Sequence, residues 1–133
     1  MKKTIGRLEK VNFPEFGMKN INAKVDTGAF TGALHTTKIH VKDEDGVPVL
    51  YFSPFDHPKK VYKTDNFERG IVKSSNGETT ERYFIETSIE VRGKRYAITL
   101  TLADRSEMKW PVLIGRRFLH ANEFIVDVTE RNS

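Results

Sequence analysis

The sequence predicts an all-β fold, a small barrel with one short helix near its C-terminal end. Two observations lead there. Apolar residues recur mostly with a period of two, the pattern of half-buried strands. Tight-turn signals separate these runs at short intervals, as in small barrels and sandwiches. At 133 residues, the chain fits a single domain over 1–133 with a real core.

Taken in order, Ile21, Ala23 and Val25 alternate with polar neighbours and lead into Asp26-Thr27-Gly28. Ile39 and Val41 alternate with His40 and Lys42, and Asp43-Glu44-Asp45-Gly46 then offers a hairpin turn. Val47 to Phe52 reads as the returning strand, an edge because it contains Pro48. Residues 53–68 read as irregular. Ile71-Val72, the polar tip Ser74-Ser75-Asn76-Gly77 and Tyr83 to Val91 form a second hairpin. Arg92-Gly93-Lys94 is a third turn, followed by a strand from Tyr96 to Leu102. Val112-Leu113-Ile114 is wholly apolar, as a central strand should be. Arg116 to Ala121 reads as one or two helical turns, and Phe124 to Val128 as the last strand. Roughly eight strands are expected, with Glu130 to Ser133 frayed.

Composition narrows the function. No cysteine is present, so a disulfide scaffold, a thiol nucleophile and Cys-ligated metal are excluded. The net charge is +4, and the basic residues are spread evenly: 11 against 8 acidic over residues 1–66, and 11 against 10 over 67–133. Without a basic block, nucleic acid is not an expected partner. Met1-Lys2-Lys3 is followed by no apolar h-region, and no apolar run approaches the ~20 residues of a membrane span. The expectation is a soluble, cytoplasmic protein.

Two segments concentrate chemistry. Val25-Asp26-Thr27-Gly28-Ala29 places an acid, a hydroxyl and a glycine at a strand end, where the hydroxyl can lock the loop and the glycine lets backbone amides approach the carboxylate. About 85 residues later, Trp110-Pro111-Val112-Leu113-Ile114-Gly115-Arg116 ends an apolar strand on glycine and arginine. Ile89 to Lys94 lies between them as a hairpin turn. In this order and spacing the chain resembles a retropepsin-like aspartic protease subunit. More closely it is similar to the bacterial family labelled ATP-dependent zinc proteases, associated with the enzyme that adds glutamates to a ribosomal protein. Ala23 to Ala29, Thr31, Ala33, Leu34 and His35 carry that resemblance, with Val72 to Ser75, Gly77, Arg82-Tyr83, Arg105, Met108, Pro111, Leu113, Gly115 and Arg116.

The resemblance implies Asp26, Thr27 and Gly28 as catalytic residues, and a retropepsin-like barrel. It implies a homodimer, because an aspartic mechanism needs two carboxylates around one water and this chain holds one Asp-Thr-Gly. Substrate contacts are expected from Ala29, from a flap comprising Lys73, Ser74, Ser75, Asn76 and Gly77, and from Arg116. Phe30 stands where many retropepsins have an acid that pairs with the arginine after the apolar strand. Arg116 is therefore left either to bind a substrate carboxylate or to pair with another acid such as Asp127. The implied substrate is an acidic peptide, the oligoglutamate tail of a ribosomal protein. No cofactor and no metal are expected. The four histidines, His35, His40, His57 and His120, form no His-Glu-x-x-His motif, and no Gly-rich phosphate loop occurs. Two other readings stay open: a non-catalytic barrel that binds an acidic peptide or a partner enzyme, and a zinc-dependent protease as the family label says.

Overall fold

The computed structural model describes residues 2–55, 60–73, 77–103 and 109–132. In chain order the elements are β1 (Lys3–Phe13), a 3-10 turn (Pro14–Phe16), β2 (Met18–Val25), β3 (Gly32–Glu44), β4 (Val47–Pro54) and β5 (Tyr62–Thr64). The chain continues with β6 (Phe67–Lys73), β7 (Thr79–Val91), β8 (Lys94–Ala103), β9 (Val112–Ile114), α1 (Arg116–Ala121) and β10 (Phe124–Asn132). Six strands close a barrel in the order β1-β2-β9-β3-β8-β7, with β7 returning to β1 at Val11↔Val91 and Asn12↔Glu90. β10 adds to the outside of β1 in parallel, and β6 adds to β7 as a hairpin.

Alternation fills the barrel. Val11 and Phe13 of β1, Ala23 and Val25 of β2, Ile85 and Ile89 of β7, and Leu100 and Leu102 of β8 all point inward and are buried. α1 closes one side, where Phe118 meets Tyr96 edge-on at 5.6 Å and stacks on Phe124 at 5.6 Å. Burial of apolar area on this scale is the main source of stability for a domain of this size.

The all-β class and the single short helix agree with the sequence reading, and α1 falls where it was expected. Four details differ. Among the described residues ten strands replace about eight, because β1 and β5 are added. β1 hides its period: register shifts at Gly6/Leu8 and Val11/Phe13 space its inward residues unevenly. It also buries an acid, Glu9, which accepts from the Gly6 amide at 2.8 Å and from Arg92 Nη2 at 2.6 Å. β5 lies within the stretch read as irregular, pairing Tyr62 with Phe52. β4 is therefore an interior strand over Leu50–Phe52 and an edge only near Pro48, which pairs with Asp43 alone. Finally, the chain does not fray at Glu130: β10 runs to Asn132, with Arg131 opposite Leu8 and Asn132 opposite Glu9.

Candidate active site

The short strand β9 makes the site. It lies between β2, to which it is parallel, and β3, to which it is antiparallel. The chain must therefore leave β2 at Val25, loop over the end of β9, and re-enter at Gly32. Two glycines permit the crossing. A Cβ on Gly32 would collide with the Leu113 carbonyl oxygen, and one on Gly115 would lie 2.6 Å from the Phe30 carbonyl oxygen and 2.9 Å from that of Ala29. Nothing larger than hydrogen fits at either position.

Asp26 is the first residue past β2. Its amide donates to the Ile114 carbonyl at 2.9 Å, one further rung of the sheet. Its Oδ1 accepts from the Gly28 amide at 2.9 Å, and its carbonyl accepts from the Ala29 amide at 3.2 Å. The carboxyl group is thus oriented by its own loop, with Asp26 itself half-buried and Thr27 and Gly28 exposed. At the other end of the loop, the Arg116 and Arg117 amides donate to the Ala29 and Phe30 carbonyls at 2.8 and 2.9 Å. These helix N-terminal donors lack intrahelical partners, so they serve loop and helix together.

The Arg116 side chain continues the brace. Nη1 donates to the Gly28 carbonyl at 3.0 Å and more weakly to that of Thr27 at 3.5 Å, while the guanidinium carbon sits 5.4 Å from the Phe30 ring centre. Among the described residues Arg116 forms no ion pair with Asp127. Asp127 spends Oδ1 on the Thr129 amide and hydroxyl at 2.9 and 2.6 Å, and those two bonds hold its carboxyl below the usual range. Phe30 replaces an ion pair by a cation–π contact.

Of the expected site residues, the structure brings Asp26, Thr27, Gly28, Ala29 and Arg116 into one loop-and-helix unit. Within one chain the Thr27 hydroxyl makes no hydrogen bond among the described residues. Lys73 and Gly77 stand on the β6–β7 hairpin, where Gly77 has φ +87°. Among the described residues no hydrogen bond or ion pair joins them to the Asp26 loop. Ser74, Ser75 and Asn76 lie outside the described residues.

A groove of about 570 Å³ opens beside the loop, which sequence reasoning missed. Thr27, Phe30 and Arg116 border it on one side, and Arg117, Leu119 and His120 of α1 on another. The helical spacing of Arg116, Arg117 and His120 was the available signal, but nothing in the sequence says that β10 runs alongside. Among the described residues no three His, Asp or Glu side chains converge to hold a metal ion. No described helix is long and apolar enough to cross a membrane.

Comparison with known proteins adds three findings. The profile of the RimB-like family, described as retropepsin-like aspartic endopeptidase RimB, matches residues 4–133. Two curated proteins named probable alpha-L-glutamate ligase are similar: one from Shewanella pealeana at 34% identity over 131 residues, and one from Desulfotalea psychrophila at 32% over 133. Each alignment covers 95% of this chain but 28% of the relative, so the chain spans little more than a quarter of their length. A solved structure from Legionella pneumophila, titled as a protein with unknown function, superposes with a TM-score of 0.77 at 25% identity, covering 98% of this chain and 97% of that one.

Proposed function

Since the chain belongs to the RimB-like family of retropepsin-like aspartic endopeptidases, we propose that it is a peptidase that works as a homodimer. Each copy contributes Asp26. The observation that carries this reading is the placement of Asp26 on an exposed loop that β9, Gly28, Arg116 and α1 hold rigid. Preorganisation of that kind is what a catalytic carboxylate needs and what an ordinary strand-end turn lacks.

In the dimer two Asp26 carboxyls share one proton, because two like charges in contact cannot both ionise cheaply. A water lies between them. The ionised carboxylate takes a proton from the water as its oxygen bonds to the peptide carbonyl carbon. The protonated carboxyl donates to the carbonyl oxygen, giving a gem-diol. The C–N bond then breaks, its electron pair going to nitrogen, which receives the dyad's proton, while one gem-diol hydroxyl gives its proton to the other carboxylate as the C=O bond reforms, so the dyad again shares one proton.

The substrate class follows from what the relatives' names say. A domain that forms part of proteins named for ligating α-L-glutamate is suited to the products of that ligation, peptides extended by glutamate. The net charge of +4 favours such a ligand. On this reading the protein trims an oligoglutamate tail on a ribosomal protein, and its place is the cytoplasm. A second reading, a non-catalytic module that binds the ligase itself, draws on the same joining of the two parts in one relative.

Asp26→Asn separates them. It nearly preserves shape and removes the shared proton. Cleavage of an oligoglutamate-tagged peptide should fall by at least about 10³-fold, with circular dichroism and thermal unfolding unchanged. Wild-type turnover by this variant would rule out the aspartic mechanism. A wild-type protein that binds the peptide without cutting it favours the binding module.

A further inference from the structure

A hollow of about 150 Å³ lies on the outer face of the barrel, at the base of the β6–β7 hairpin. Side chains alternate along β7, and Ile85 is buried in the barrel, so Phe84 and Glu86 face outward. Register sets two more groups beside them: Glu68 of β6 opposite Phe84, and Thr99 of β8 opposite Glu86. A side chain at Gly70 would meet the Phe84 ring at 2.5 Å, so this glycine lets the ring settle against β6 as a wall of the hollow. Phe67 borders it too. Glu68 and Glu86 are diagonal neighbours across the strand pair and both are exposed. Among the described residues neither side chain forms a hydrogen bond or an ion pair. Arg117 closes the side toward α1. A smaller depression of about 100 Å³ shares Glu86, Thr99 and Arg117 with the hollow and reaches Gly32, where the Asp26 loop rejoins the sheet. Arg117 serves both ends: its side chain borders the hollow, and its amide holds the Phe30 carbonyl at 2.9 Å.

We propose that the hollow is a subsite for one lysine or arginine side chain of the substrate, so that the protein reads the junction where an acidic tail joins a basic segment. The inference rests on the peptidase reading and adds a second determinant to it, away from Asp26. Two aromatic walls suit the long apolar stem of such a side chain, and two carboxylates without partners suit its charged head. Two like charges this close also repel, and a cation between them relieves the repulsion. An anionic or purely apolar side chain gains neither. Nearer Asp26 the loop-and-helix unit carries Arg116 and Arg117. A peptide crossing this face in extended form thus meets cations at the loop and acids farther out. A bare run of glutamate matches only the first part. A glutamate run attached to a lysine-rich or arginine-rich chain, as in a protein that packs against RNA, matches both.

Two peptides test this, each ending in the same glutamate run, preceded in one by lysines and in the other by glutamines. Wild-type kcat/KM should favour the lysine peptide at least about fivefold. The gain should lie in KM rather than kcat, because a remote contact binds ground state and transition state alike. The net charge of +4 opposes this preference, so a local site must produce it, and high salt should shrink it. Glu68→Lys combined with Glu86→Lys should abolish or invert the preference, and the two Glu→Gln changes together should reduce it. Both residues are exposed, so thermal unfolding of these variants should match wild type. Equal cleavage of both peptides by wild type, or a preference that survives the lysine variant, overturns the subsite and spares the peptidase reading. If wild type cuts neither peptide, the peptidase reading falls, and binding of the two, followed by fluorescence anisotropy, decides the subsite alone. A preference for the lysine peptide then upholds it, and equal binding overturns it.

Discussion

Arg116 shows how one side chain serves position. Its guanidinium is a planar fork, and one nitrogen reaches two successive loop carbonyls while the plane covers Phe30. A lysine has the charge but neither the fork nor the stacking surface. Arg116→Lys should therefore cost about 1 kcal/mol in thermal unfolding. The loop is also the catalytic platform, so peptide cleavage should drop about tenfold or more. Unchanged turnover would remove Arg116 from the site. At this scale the sequence was informative where chemistry is local. Asp26-Thr27-Gly28 and the Gly115-Arg116 pair could be read directly, and Phe30 stood out as a departure. The partner of Arg116 could not be read, because backbone carbonyls are present at every residue and leave no signature. Glu9 was invisible for a related reason. A buried acid is an unexpected occupant of an inward position, and only the fold brings Arg92 to it.

Among the elements, β9 and the loop it interrupts set the site's shape. The crossing depends on Gly32, whose α-carbon faces the Leu113 carbonyl and the Gly115 amide. Gly32→Ala should destabilise the protein by about 3 kcal/mol, read as a shift in the urea midpoint. Backbone sits on the colliding side and cannot swing aside as a side-chain end would. A variant at wild-type stability would mean the loop can cross elsewhere. The elements legible in advance were those with clean chemistry: the turn at Arg92-Gly93, where φ values of +50° and +80° match a hairpin turn, the apolar β9, and α1. β1 was illegible because its bulges replace a period of two by uneven spacing. β5 was too short, at three residues, to stand out between Pro54 and Asp65.

For the molecule as a whole, acid stability has a definable contributor. Glu15, in the turn between β1 and β2, accepts from the Thr87 hydroxyl at 2.6 Å and the Ser88 amide at 2.7 Å. The Thr87 bond above all, with the Ser88 amide assisting and burial opposing, holds its carboxyl below the ordinary glutamate value. A folded-state value below the unfolded one contributes stability above the unfolded pKa and loses it as pH falls through the folded value. Glu15→Gln should thus unfold more readily than wild type at pH 7 and converge with it toward pH 3, as followed by thermal denaturation across that range. A constant gap at all pH values would assign the loss to packing. The all-β class was legible because strand alternation and turn signals are local properties of the chain. The order of strands around it was not, because pairing β2 with β9 and β1 with β10 joins segments distant in sequence, and local pattern says nothing about such partners.

The parallel run of β1 beside β10 also decides where attached sequence would go. Lys3 lies opposite Phe124, next to the groove, whereas Asn132 lies opposite Glu9, most of a strand length away, roughly 25 Å. Sequence appended ahead of β1 therefore emerges over the groove and competes for it, and sequence appended after β10 departs from the far end of the sheet. An affinity tag at the amino end is positioned to cover the groove, and the same tag at the carboxyl end leaves it open.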